Sequence, residues 1–67
     1  MSVAKVMEII AASPNSFDEA VKNGIARASE TLQGITGAWV SEQKVAVENG
    51  RITEYRVAMR VTFILAD

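Results

Sequence analysis

From Ala38 to Leu65 apolar and polar residues alternate on either side of a single Asn-Gly pair, Asn49-Gly50. Asn-Gly between strand-like runs is the strongest short-range hairpin signal, because a type I′ turn needs positive φ at both central residues. The pattern predicts a β-hairpin. Counting back from a two-residue loop pairs Val40 with Met59, Ala38 with Val61, Trp39 with Arg60 and Gln43 with Arg56. Such partners share a face of the sheet. One face collects Ala38, Val40, Tyr55, Val57, Met59, Val61, Phe63 and Leu65, a nearly unbroken apolar set that needs cover. The other holds Trp39, Ser41, Gln43, Val45, Val47, Ile52, Glu54, Arg56, Ala58, Arg60, Thr62 and Ile64. That second face is too apolar for an ordinary wet surface and too polar for a core.

Upstream, Val3 to Ala12 reads as a first strand, with Lys5, Met7 and Ile9 on one side and Ala4, Val6, Glu8 and Ile10 on the other. Both sides are partly apolar, so this strand expects cover above and below or a place at an interface. Ser13-Pro14-Asn15 ends it, since proline gives no amide hydrogen to a ladder and restricts the residue before it. Ser16-Phe17-Asp18-Glu19 is a capping box: the Ser16 hydroxyl accepts from the Glu19 amide and the Glu19 carboxylate reaches back to the Ser16 amide. Asp18 and Glu19 also suit the positive end of a helix dipole. A helix starts here. Its buried stripe, at three-and-four spacing, is Phe17, Ala20, Val21, Gly24, Ile25, Ala28 and Leu32. Gly24 costs about 1 kcal/mol against alanine, and its return is a close approach of the helix to the sheet. Gly34 is the expected left-handed C-cap, with Ile35 folding back on the last turn.

The order is strand, helix, strand, strand, with no linker or repeat. This is an α+β domain, β-α-β-β, spanning 1–67, with one helix on a three-stranded antiparallel sheet. One helix covers one side of such a sheet. The other side, bearing Trp39, Val45, Val47, Ile52 and Ile64, needs another copy of the protein.

Composition sharpens that demand. The chain has 67 residues, 49% of them apolar, and neither cysteine nor histidine. A core this small seldom supplies more than about 3–5 kcal/mol, and disulfides and the usual zinc sites are excluded, which leaves self-association. A formal net charge of −1 gives no electrostatic case for nucleic acid. No stretch approaches the ~18 apolar residues of a membrane span. Glu8 interrupts the short N-terminal apolar run, which argues against a secretion signal and for a cytoplasmic protein.

The order of elements, the segment KVMEIIAASPNSFDEAVKNGIARASETL and the closing EYRVAMRVTFIL resemble the dodecins, over essentially the whole chain. The resemblance implies a hollow homododecamer that stores flavin, riboflavin or FMN, without turnover. In that family a strand-two tryptophan stacks on the isoalloxazine ring and a strand-three glutamine bonds its edge. Aligning Val40 with the family's valine puts Gly37 at the tryptophan position, and Trp39 stands two residues on, on the same face and roughly 6–7 Å away. The glutamine of the usual Tyr-Gln-Val is Arg56, in Tyr55-Arg56-Val57. Arginine offers donors only, so a flavin ring N–H loses its acceptor there, at about 1–3 kcal/mol if buried. Gln43, opposite Arg56 by plain counting, is the candidate substitute. Arg56 instead suits an anionic ligand, a nucleotide or coenzyme A among them, through a bidentate fork on phosphate.

The cofactor-binding candidates are therefore Trp39, Arg56, Gln43 and Arg60. Each has a structural alternative: Trp39 over Arg60 is a cation–π pair at a subunit contact, and Arg56 pairs with Glu54 or a neighbour's Glu42. Glu8, Glu42 and Glu54 meeting across subunits would make a carboxylate pair or a calcium site. An enzyme fits poorly: there is no nucleophile elbow, no glycine-rich phosphate loop and no histidine. The sequence leaves three readings open: a flavin store, a shell for another anion or an ion, and a purely structural shell.

Overall fold

A computed structural model describes residues 3–65. It contains β1 (Ala4–Ser13), α1 (Phe17–Thr31), β2 (Ile35–Glu48) and β3 (Arg51–Ile64). The sheet is antiparallel with order β1-β3-β2, so the last strand lies in the middle. The β-α-β-β architecture expected from the hydrophobic pattern is the one observed.

Asn49 and Gly50 both take positive φ, 52° and 75°, as a type I′ turn demands. Next to the turn and again from Val40 to Gly37 the hairpin pairs as simple counting predicts, Val47 with Ile52, then Val40 with Met59, Trp39 with Arg60 and Ala38 with Val61, before a further shift sets Ile35 against Phe63. Between those two stretches it does not. The register shifts by one residue between Ala46 and Val47, where Thr53 bulges from β3, and shifts back between Val40 and Glu42, where Ser41 bulges from β2. A bulge sets two residues against one and re-aims the side chains beyond it. Gln43 consequently faces Val57 rather than Arg56, and Val45 faces Tyr55. Both lie on the helix side, not beside Trp39 as plain alternation has it. Glu42, Lys44 and Ala46 take their place on the outer side, opposite Ala58, Arg56 and Glu54.

α1 lies over β1 and β3. The core it closes is small: Ala20 and Ala28 of the helix against Val57, Met59, Val61 and Phe63 of β3, with Ile9, Ala11, Phe17, Val21 and Ile25 partly buried around them. A helix about 10–12 Å across spans two strands spaced about 4.8 Å apart, not three. Val40 on β2 therefore remains exposed although it points to the helix side. Gly24 is where helix and sheet come closest: a Cβ there would stand 2.5 Å from Met59 Cε and 2.9 Å from Ala11 Cβ.

The helix begins as a modified capping box. Ser16 Oγ accepts from the Glu19 amide at 3.0 Å, as expected. The Glu19 carboxylate does not return to the Ser16 amide. It accepts instead from the buried Ser13 hydroxyl and, at 2.7 Å, from Asn15 Nδ2. Ser13 Oγ also accepts from the amides of Asn15, at 3.0 Å, and Ser16, at 3.4 Å, so the end of β1 and the start of α1 form one network. These bonds hold the Glu19 carboxyl below its ordinary range, Ser13 contributing most and Asn15 next, against a smaller opposing effect of burial. At the other end the helix stops at Thr31, with Leu32 as an extended cap. Gly34 is left-handed, φ 78°, but two residues past that cap, where its carbonyl accepts from the Ile64 amide at 3.0 Å. It ties the α1–β2 connection to β3 and does not cap the helix.

Candidate functional site

The outer face of the sheet carries the candidate chemistry. Its rows follow from the two ladders: Ala4 and Ile64; Val6, Thr62 and Gly37; Glu8, Arg60 and Trp39; Ile10 and Ala58 with Glu42; Ala12, Arg56 and Lys44. The two rows nearest the start of β1 are uncharged and the next three each carry charge, and no element of the chain covers them. Val6, Ile10, Trp39 and Ile64 are all exposed, Ile10 by 74%.

The row Glu8–Arg60–Trp39 crosses all three strands. The Arg60 guanidinium stands 5.6 Å from the centroid of the Trp39 ring, and its Nε lies 3.8 Å from the Glu8 carboxylate. Glu8 holds one side of the guanidinium while the indole accepts its charge over the π face. One face of the indole is thus occupied and the ring remains 49% exposed. Gly37 opens on empty space: a Cβ there would meet nothing within 4 Å.

Arg56 sits two rows from Arg60, about 13 Å along β3 at roughly 3.3 Å per residue. Within one chain it does not reach Trp39. Its Nε donates to Glu54 of the same strand, so the pairing expected for Arg56 forms locally. Gln43 faces the opposite side, against Val57. Of the four candidate residues, the fold brings Trp39 and Arg60 together, leaves Arg56 apart and turns Gln43 away. What the sequence reading missed is Lys44, which plain counting assigns to the helix side and the bulges deliver to Arg56.

Among the described residues no three His, Cys, Asp or Glu converge as a metal site, and no helix is long and apolar enough to cross a membrane. A groove of about 420 Å³ between β1 and α1, lined by Ile9, Gly24 and Arg27 among others, lies on the far side of the sheet from Trp39.

Comparison with known proteins fits this architecture. The family model described as Dodecin matches residues 3–66. The curated protein Calcium dodecin of Mycobacterium tuberculosis is 42% identical over 64 residues, 94% of this chain and 89% of that protein. Dodecin from Streptomyces davaonensis superposes with a TM-score of 0.94 at 35% identity, covering 98% of this chain and 97% of the other. A crystal structure of the M. tuberculosis calcium dodecin, described as having a novel calcium-binding site, gives a TM-score of 0.85 at 38% identity, covering 97% and 93%. With matching strand order, helix placement and near-complete coverage in both directions, the chain belongs to the dodecin family.

Proposed function

We propose that the chain assembles into a hollow homododecamer that stores an ion, calcium first among the candidates, rather than a flavin. The observation that carries this reading is Arg56. It replaces the amide that would pair with a flavin edge, supplies donors only, and is engaged by Glu54. Gly37 at the stacking position weakens a flavin site further. On the positive side, a relative 42% identical is named for calcium. Glu8, Glu42 and Glu54 all stand on the uncovered outer face by their ladder positions. No single chain gathers three carboxylates among its described residues, so the ion would be held where copies meet, by oxygen ligands from several of them.

Calorimetric titration of the chelator-treated assembly with calcium chloride tests the proposal, alongside riboflavin, FMN and coenzyme A followed by Trp39 fluorescence. Saturable calcium heat with no quenching by riboflavin is expected. Saturable quenching with calcium silent would replace this reading by the flavin one, which the exposed face of the Trp39 indole favours. In that case Trp39→Ala abolishes riboflavin binding and leaves assembly intact.

A further inference from the structure

The sequence holds two Asn-Gly pairs, Asn23-Gly24 and Asn49-Gly50. In both, glycine leaves its amide nitrogen unhindered by a side chain and able to attack the asparagine side-chain carbonyl. The fold treats the two oppositely. Asn23-Gly24 lies inside α1, where the Gly24 amide donates to the Ala20 carbonyl and the glycine is buried against Met59 and Ala11. Asn49-Gly50 forms the hairpin turn, with both residues exposed and open space where a Cβ on Gly50 would stand. Neither the Asn49 carbonyl nor the Gly50 amide has a backbone partner among the described residues.

Turn geometry brings a reaction within reach. Asn49 has φ 52°, which suits the first central position of both type I′ and type II′ turns. At that residue the two types differ in ψ, about +30° against about −120°, and a flip of the central peptide unit interconverts them. Gly50 follows from its φ of 75° to the negative φ of type II′, a change that glycine accepts freely. At ψ of about −120° the Gly50 nitrogen eclipses Asn49 Cβ, the arrangement that closes a five-membered ring on Cγ.

We infer that Asn49 is a site of spontaneous deamidation through a cyclic imide, reached by this flip, whereas the helix shields Asn23. The Gly50 nitrogen bonds to Asn49 Cγ and gives up its proton, and the side-chain nitrogen leaves as ammonia. Water then opens the ring at either carbonyl. Breaking the new Cγ–N bond leaves aspartate; breaking the original backbone C–N bond leaves isoaspartate, whose main chain runs through Cγ. Either product adds a carboxylate between Glu48 and Arg51. Isoaspartate also lengthens the two-residue loop by one backbone atom, and the I′ geometry is lost with it. The inference is independent of the stored ion proposed above.

The test holds the assembled protein in mildly alkaline water enriched in heavy oxygen, then digests it with trypsin in ordinary water. Cleavage after Lys22, Arg27, Lys44 and Arg51 puts the two pairs on separate peptides, 23–27 and 45–51. Only a side chain hydrolysed during the incubation carries the label, so mass spectrometry counts deamidation in the folded state. Peptide 45–51 should gain label about tenfold or more faster than peptide 23–27, because the helix must open locally before Gly24 can attack. Isoaspartate, which direct hydrolysis of the amide does not give, should be among its products. In urea, where turn and helix are both lost, the two rates should converge. Asn49→Gly keeps a pair suited to type I′ and should abolish label in 45–51. Native label equal in the two peptides or confined to 23–27, label in 45–51 without isoaspartate, or a ratio that persists unchanged in urea overturns the inference. So does an unlabelled 45–51 peptide over a period in which the urea-treated chain labels fully.

Discussion

Gly24 shows how tightly one position is determined. Alanine is the better helix former by about 1 kcal/mol, so on propensity alone Gly24→Ala stabilises α1. The added methyl, however, would lie 2.9 Å from the Ala11 Cβ and 2.5 Å from Met59 Cε. The Met59 terminus can swing aside, but Ala11 moves only with the β1 backbone. Overpacking of this kind costs about 1–3 kcal/mol, which outweighs the propensity gain. Gly24→Ala should lower the urea midpoint, measured at fixed protein concentration; an unchanged or raised midpoint would mean the helix can lift off β1 freely. That a glycine inside the apolar stripe marks a close approach was legible from spacing alone. The Glu8–Arg60–Trp39 row was half legible: the hairpin count places Trp39 against Arg60, whereas Glu8 joins only because β1 pairs with β3.

The junction of β1 and α1 is an element held by one carboxylate. Glu19 accepts from Ser13 and Asn15, and those bonds depress its pKa below the ordinary value of 4.5. The unfolded chain lacks these bonds, so the folded carboxyl has the lower pKa. Its contribution is fully present above the unfolded value and is lost as pH falls through the folded one. The stability difference between the wild type and Glu19→Gln should therefore be constant near neutral pH and shrink as pH drops below the ordinary carboxylate range. A difference that stays flat through that acid window would show that the charge on Glu19 does not hold the junction. Capping chemistry was visible in Ser16 and Glu19, but the carboxylate's partner was not. Ser13 reads as a strand end, and only the turn through Pro14 and Asn15 carries its hydroxyl to Glu19. The bulges were invisible for a different reason. Thr53 and Ser41 carry no bulge signature, and because their shifts cancel, the residues around Trp39 pair as if neither existed. Beyond Ser41 the faces are exchanged as far as the turn, which sets Lys44 in place of Gln43 beside Arg56.

At the scale of the molecule, family membership settles the class: a dodecin is a non-enzymatic ligand-binding protein that works as a homo-oligomer. The single chain explains why. It measures 52 × 19 × 13 Å, an elongated hairpin with a core on one side of two strands. Val45, Val47 and Ile52, which plain alternation assigns to the outer face with Trp39, lie toward the hairpin tip beyond the reach of α1, and all are exposed. The apolar surface awaiting a partner thus lies on both sides of the sheet, not on one. Ile10 is the most exposed of these large apolar residues, on the outer face and on the edge strand β1. Its side chain makes little of the single chain's core, so an aspartate there costs the isolated fold little. In an assembly that buries it, the same change leaves an unpaired charge in an apolar contact, and even the lost transfer energy is about 1.5–3 kcal/mol per copy. Repeated at every copy of a closed symmetric particle, that is enough to shift assembly strongly at micromolar protein. Sedimentation of Ile10→Asp should show small species that keep strand and helix signals in circular dichroism. A full-sized particle would place Ile10 outside the subunit contacts and shift the burden of cohesion to the hairpin tip, where Val47→Asp becomes the decisive variant.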